Sequence, residues 1–335
     1  MTGKSKTPSV SVIVPMFNVE KYIEPCLRSL LEQTLSDFEV IVVDDCSTDR
    51  SAPIVKQIAP SFGGRLTLLK TKKNNGAPGI PRNLALKSAR GKYVDFLDSD
   101  DLLTPTALEE LFSIAEETRA DVLHSEKFYA FDEDQPEQLR LNSWENGRTV
   151  NKATPDPRGI GEKIEAFCNR QVNWSSCLKL FRHEFLIKNR LEFPPLPYSE
   201  DMPFCFKCLC LAKNYVRIPT VFYKCRYRAG SLQHRSVTPE QLIKTYLAVI
   251  VDGVQVLDKF TDSLPFFADI ENHGYRYRAI EYFIREHMSY FDEMYQKYPP
   301  QLIDILNRET LAPMLGKNAA LMSCLFNMAN AGGKS

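Results

Sequence analysis

The sequence predicts an α/β domain on a mostly parallel sheet flanked by helices, with a C-terminal helical appendage. Three observations carry this. Short, near-continuously apolar β-branched runs recur through the first 125 residues, as in strands buried on both faces. Helical spacings fill the gaps between them, and such alternation builds a parallel sheet. From Thr238 onward the pattern is helical alone.

In order, Ser9 to Val14 is a β-rich run stopped by Pro15. Ile23, Leu27, Leu30 and Leu31 then repeat at helical spacing, with Pro25 placed in the first turn, where its missing N–H costs little. Phe38 to Val43 is a second strand ending in Asp44-Asp45, and Ser47-Thr48-Asp49 can cap the helix after it. Leu66 to Leu69 is a third strand, Ala85 to Ala89 closes a third helix before Gly91, and Tyr93 to Leu97 is a fourth strand running into acids. Asp132 to Pro157 reads as a loop or small insertion, and Gly161 to Lys188 as helical. Pro194 to Pro197 is a rigid extended segment leading to Tyr198-Ser199-Glu200-Asp201. Tyr223 to Arg228 alternates like a strand, and Leu242 to Phe260 and Tyr275 to Tyr298 are the longest helical stretches.

Composition narrows the function classes. The 335 residues carry 42 basic and 42 acidic side chains, a formal net charge of zero. A dedicated nucleic-acid binder usually shows basic excess, so no nucleic-acid partner is expected. No apolar run reaches the ~18 residues of a spanning helix, and Met1 to Pro8 lacks the apolar core of a signal peptide. The expectation is a cytoplasmic protein, peripheral at most at the inner membrane face. Nine cysteines in a chain of this size read as reduced thiols, with Cys205, Cys208 and Cys210 as small hydrophobes in a helix.

Five clusters carry chemistry. Asp98-Ser99-Asp100-Asp101 follows a buried strand, and a hard divalent cation would relieve the repulsion among its carboxylates; a solvated turn or helix cap is the plainer reading. Asp44-Asp45 at a strand end can accept from a base N–H or a ribose hydroxyl, or serve capping. Asn74-Asn75-Gly76-Ala77-Pro78-Gly79-Ile80-Pro81-Arg82-Asn83 leads into a helix and suits an anion, although it has neither Walker nor G-x-G-x-x-G spacing. Glu200-Asp201 beside apolar neighbours suits a general base, or decorates a helix N-terminus. Tyr223 to Arg235 is the densest basic stretch, able to cover a diphosphate or to protect an edge strand.

The order of these clusters, from Pro15-Met16-Phe17-Asn18 through Asp44-Asp45, the Asn-Gly…Arg-Asn loop and Asp98-x-Asp100 to Glu200-Asp201, resembles glycosyltransferase family 2 enzymes of GT-A (Rossmann-like) fold. The likeness is close over residues 9 to about 125 and patchier to about 235. The loop form looks most like bacterial wall-teichoic-acid, capsule and surface-polysaccharide members. The resemblance implies a catalytic domain over 1–237 and a helical region of separate role over 238–335. It implies an inverting transfer from a nucleotide-sugar, usually a UDP-sugar, to a hydroxyl of a glycan, teichoic-acid or lipid-linked acceptor. Pro15 and Phe17 would line the base pocket, and Asp45 would accept from the uracil. Asn74 and Arg82 would sit near the nucleotide and its phosphates. Asp100, with Asp98 nearer the sugar, would hold Mn²⁺ or Mg²⁺. Asp201 matches the catalytic base, with Glu200 its acidic neighbour. Arg226, Arg228, Ser231 and His234 match a later nucleotide-sugar-binding loop.

Two other classes remain open on sequence. A nucleotidyltransferase shares layout and metal use, but usually carries a glycine-rich basic loop where this chain has Pro15 to Val19. A non-catalytic glycan-binding relative would be expected to lose the D-x-D or the base, and both are present. The aromatic stretch Tyr275 to Tyr298 reads as a helix packed in a core, or as an acceptor platform or homo-oligomer interface. Residues 238–335 carry 12 acidic and 9 basic side chains, which does not suggest attraction to an anionic membrane.

Overall fold

The computed structural model describes residues 7–144, 149–156, 158–228 and 239–295. The first half runs β1 (Val10–Met16), α1 (Ile23–Leu31), β2 (Phe38–Asp44), α2 (Ser51–Ile58), β3 (Leu66–Lys70), α3 (Gly79–Leu86), β4 (Tyr93–Phe96), β5 (Leu102–Leu103), α4 (Ala107–Thr118) and β6 (Val122–Ser125). Next come β7 (Lys127–Asp132), β8 (Arg140–Ser143), β9 (Thr154–Pro155), α5 (Ile160–Cys168), β10 (Lys179–Arg182), α6 (His183–Lys188), α7 (Asp201–Leu211), β11 (Tyr215–Ile218) and β12 (Tyr223–Tyr227). Three helices follow: α8 (Pro239–Asp262), α9 (Pro265–Ala268) and α10 (His273–Tyr295).

The main sheet has eight strands in the order β3-β2-β1-β4-β10-β6-β11-β9. β3, β2, β1 and β4 are mutually parallel, while β10 lies antiparallel to both β4 and β6. Every residue of β1, β2 and β4 is buried, as their near-continuous apolar runs suggest. Helices α1, α2 and α4 cover one face. Helices α3, α5, α6 and α7 cover the other, and side chains of α8 and α10, including Val249, Ile250, Val254, Ile280 and Phe283, enter that same apolar cluster. A four-stranded sheet, β5-β12-β7-β8, lies beyond the ends of the parallel strands.

Two sequence expectations change. Gly161 to Lys188 is not one helical stretch: α5 ends at Cys168, and β10 enters the middle of the sheet. The insertion at Asp132 to Pro157 contains β8 and β9. Pro25 does lie in the first turn of α1. Among the described residues eight cysteines are free, and no helix is long and apolar enough to cross a membrane.

Asp95 is the polar core residue whose carboxylate is left wholly unpaired among the described residues. It lies in mid-β4 and has no exposure. Its register partners Val12 and Leu180 belong to the apolar layer under α1 and α4. Burial alone pushes its carboxyl up to about 8. The native state therefore keeps a proton that the unfolded chain releases near pH 4. Asp95's contribution to stability therefore falls as pH rises from about 4 to about 8, because at this group the folded state binds more protons across that window. Asp95→Val should stabilise the protein by ~2 kcal/mol at pH 8 and flatten the pH dependence. Urea unfolding at pH 5 and pH 8 checks this; a variant no more stable than wild type at pH 8 would contradict it.

Candidate active site

The carboxyl ends of β1, β2 and β4 open toward one crevice, where an α/β sheet binds its ligands. Met16 and Asp44 are register partners at the ends of β1 and β2, and Asp45 N–H donates to Met16 O at 2.8 Å. The two loops beyond are stitched together. Asn18 N–H donates to Ser47 Oγ at 3.1 Å, and Thr48 N–H donates to Asn18 Oδ1 at 2.8 Å. Pro15 is buried at the end of β1, and Phe17 is half-buried just past it.

Asp45 is buried and already bonded. Its Oδ1 accepts from the Thr71 hydroxyl at 2.7 Å and the Asn75 amide at 2.6 Å, and its Oδ2 accepts from Asn75 N–H at 2.8 Å. Asn74 donates to Asp45 O at 3.0 Å and accepts from Gly76 N–H, whose φ of 77° a glycine adopts without strain. Asp45 thus moulds the 71–76 loop.

Arg82 is the centre of the site. It lies on α3, and its side chain is 2% exposed. One terminal nitrogen donates to Glu200 Oε1 at 2.9 Å and Asp201 Oδ1 at 2.8 Å; the other donates to Asp98 Oδ1 at 2.7 Å. It therefore joins three carboxylates of its own chain. Burial works against its charge, but Asp201, Asp98 and Glu200 outweigh that and raise its pKa. Neighbouring Asn83 exchanges two hydrogen bonds with the Phe193 backbone, at 2.8 and 2.9 Å, and so docks the proline run on α3. Gly79 makes room for this docking, since a Cβ there would stand 2.9 Å from Glu200 Cγ. Ser199, at φ 56°, then turns the chain so that Glu200 and Asp201 open α7. Burial, then the adjacent Asp201, pushes the Glu200 carboxyl up to about 7. Asp201 also accepts from the Ser176 hydroxyl at 2.9 Å.

The acids after β4 divide their work. Asp98 accepts from the Cys177 thiol as well as from Arg82. Asp101 is buried, accepting from the Tyr223 hydroxyl and Arg226 N–H at 2.7 Å each, so it ties β12 down. Its carboxyl is held well above the usual range by burial, then by Asp100 and Asp98. Asp100 is raised by burial and by Asp98, while Arg228 opposes the shift with a 2.7 Å ion pair. Arg226 lies 4.6 Å from the Phe131 ring centroid, and Arg228 lies 4.7 Å from that of Tyr22. Ser231 and His234 lie outside the described residues.

Among the described residues no three His, Cys, Asp or Glu side chains form a metal cage. Asp98 and Asp100 nevertheless suit a Mg²⁺-like ion, which takes one or two carboxylates and completes its shell with water and substrate phosphates. Their hard oxygen donors and mutual repulsion favour such a cation.

Sequence reasoning missed Ser176, Cys177 and Tyr223 as partners of these acids. Nothing local marks them, since their partners lie 25, 79 and 122 residues away.

Residues 11–181, half of the chain, match the family described as Glycosyl transferase family 2. Poly(ribitol-phosphate) beta-N-acetylglucosaminyltransferase TarS of Staphylococcus aureus is 31% identical over 287 residues, 84% of this chain and 44% of TarS. The uncharacterized glycosyltransferase EpsJ of Bacillus subtilis is 32% identical over 251 residues, 72% of this chain and 69% of EpsJ. The crystal structure of S. aureus TarS 1–349 in complex with UDP-GlcNAc matches with a TM-score of 0.62 at 28% identity, covering 84% of this chain and 73% of that one. The chain thus spans less than half the length of the full TarS relative. Sheet order, the acids beyond β4 and these matches agree: the chain belongs to glycosyltransferase family 2, with the GT-A fold.

Proposed function

We propose that the chain transfers a sugar from a UDP-sugar to a hydroxyl of a bacterial surface glycan, with inversion, and that Asp201 is the base. One observation carries the reading: Arg82 gathers Asp98, Glu200 and Asp201 within 2.9 Å of one guanidinium. The acids after β4 and the candidate base thereby face a single crevice.

In this reading Pro15 and Phe17 flank the base, the Asp45-moulded loop with Asn74 borders the nucleotide, and Arg226 and Arg228 reach the diphosphate. Asp201 takes the proton of the acceptor hydroxyl as that oxygen attacks the anomeric carbon, and UDP leaves from the opposite face. A divalent cation held by Asp98 and Asp100, when bound, supplies charge to the departing diphosphate. The basic side chains of β12 and beyond add to it. Inversion, UDP as carrier and metal dependence are parts of the proposal. So are a cytoplasmic location and a separate role for residues 238–335 in acceptor binding or self-association.

A screen of UDP-sugars read by UDP release, with and without Mn²⁺ or Mg²⁺, tests the reading. Turnover with at least one donor is expected, and pyrophosphate release from a nucleoside triphosphate instead would overturn it. Asp100→Ala should abolish the response to added Mn²⁺. An unchanged cation titration in that variant would remove Asp100 from the metal site.

A further inference from the structure

Resting on the transfer reading above, we propose that Arg228 holds the Asp100 carboxylate in the place of a divalent cation, and yields it only when a donor's diphosphate draws the guanidinium away. The cation then binds well only together with the nucleotide.

Each acid beyond β4 has a partner of its own. Asp98 is paired with Arg82 at 2.7 Å, and Asp101 accepts from the Tyr223 hydroxyl and from Arg226 N–H. Asp100 is left to Arg228, whose Nε donates to Asp100 Oδ2 at 2.7 Å. A cation on that carboxylate would set its charge against the guanidinium, in a half-buried place where screening is weak. The Asp100 and Arg228 side chains are still 21% and 16% exposed, so an ion and a phosphate can reach them.

Arg228 also has somewhere to go. It stands just past the end of β12, and its guanidinium lies over the Tyr22 ring, 4.7 Å from the centroid. The Tyr22 hydroxyl donates to Glu133 Oε1 at 2.6 Å, and Glu133 N–H donates to Tyr227 O at 3.0 Å. The ring is thus tied to the strand end that carries Arg228. A planar guanidinium can turn on such a face and keep its stacking while it trades a carboxylate for a phosphate. Arg226 differs. Its Nε donates to the backbone Asp100 O at 2.8 Å, and its guanidinium lies 4.6 Å from the Phe131 centroid. It therefore occupies no carboxylate oxygen of Asp100 and does not compete there. A cation arriving alone must displace Arg228 with nothing to receive it. The diphosphate receives it, and by linkage the cation strengthens nucleotide binding by the same factor.

The full chain is titrated with Mn²⁺ by calorimetry, alone and with saturating UDP. UDP should tighten Mn²⁺ binding by wild type at least tenfold, inside the ~5–150-fold range of such couplings. Arg228→Gln and Arg228→Ala should each bind Mn²⁺ alone about tenfold more tightly than wild type, and gain less from UDP. The expected change is a gain, which a misfolded variant cannot supply. It should vanish when Asp100→Ala is added, and Arg226→Gln should bind Mn²⁺ alone as wild type does. Equal affinity for Mn²⁺ alone in wild type and both Arg228 variants, each melting cooperatively, overturns the exchange. So does an equal gain in Arg226→Gln. Either result leaves the transfer reading standing. Protein that binds UDP but never Mn²⁺ loses the metal and the exchange together, and failure to bind UDP overturns the transfer reading as well.

Discussion

An Asp201→Asn enzyme will bind UDP and transfer almost no sugar. A positioned general base contributes ~10²–10⁴-fold, and the transfer rate should fall by that factor. The surroundings of Asp201 sharpen the expectation. Its carboxylate accepts from Arg82 and from both the hydroxyl and the N–H of Ser176. An asparagine can keep its carbonyl toward Arg82 only by turning its NH₂, which donates and cannot accept a proton, toward the Ser176 N–H that Oδ2 accepts from. Calorimetry with UDP and UDP-release assays separate the two functions. Transfer at the wild-type rate would remove Asp201 from the role of base, and lost UDP binding would mean that the change reaches the donor side through Arg82.

Arg82→Met will unfold more readily, and the loss will grow with pH. Taking one partner from a buried ion pair costs ~3–5 kcal/mol, because the remaining charge has no compensation. Glu200 is the buried carboxylate left behind, at 7% side-chain exposure. Its carboxyl already sits at about 7 with Arg82 present, and without the guanidinium it must rise further. The native state then holds a proton that the unfolded chain has released, so stability falls as pH climbs above the unfolded carboxyl range. Denaturation at pH 5 should show a modest loss, and at pH 8 one of about 3 kcal/mol or more. Equal losses at both values would mean that Glu200 does not depend on Arg82 for its charge.

Half of the fold was legible because its signals are local. β1, β2 and β4 are buried on both faces, so each reads as a near-continuous apolar run ending near the residues that face the crevice. β10 was hidden for the opposite reason. It is four residues long and begins with a lysine that is 1% exposed because it binds backbone carbonyls. The acidic motifs were legible as composition at strand ends. Their division of labour was not, because Asp101 finds Tyr223 and Asp98 finds Arg82 only after distant strands and helices have met. Arg82 shows the limit well. An arginine at a Gly/Pro loop suggests an anion, and it has three, but all belong to the protein.

The Arg82-Asn83 pair also sets an order of assembly. Asn83 reaches Phe193 across 110 residues, and Arg82 reaches Glu200 across 118. Contacts of that separation carry the loop-closure cost of everything between them and form after local ones. The parallel half of the sheet, complete by residue 96, can pair while Glu200 and Asp201 have yet to be synthesised. During synthesis the strand ends that face the crevice therefore exist before the carboxylate proposed to do the chemistry. The chain becomes a complete active site only when its two halves close on one arginine.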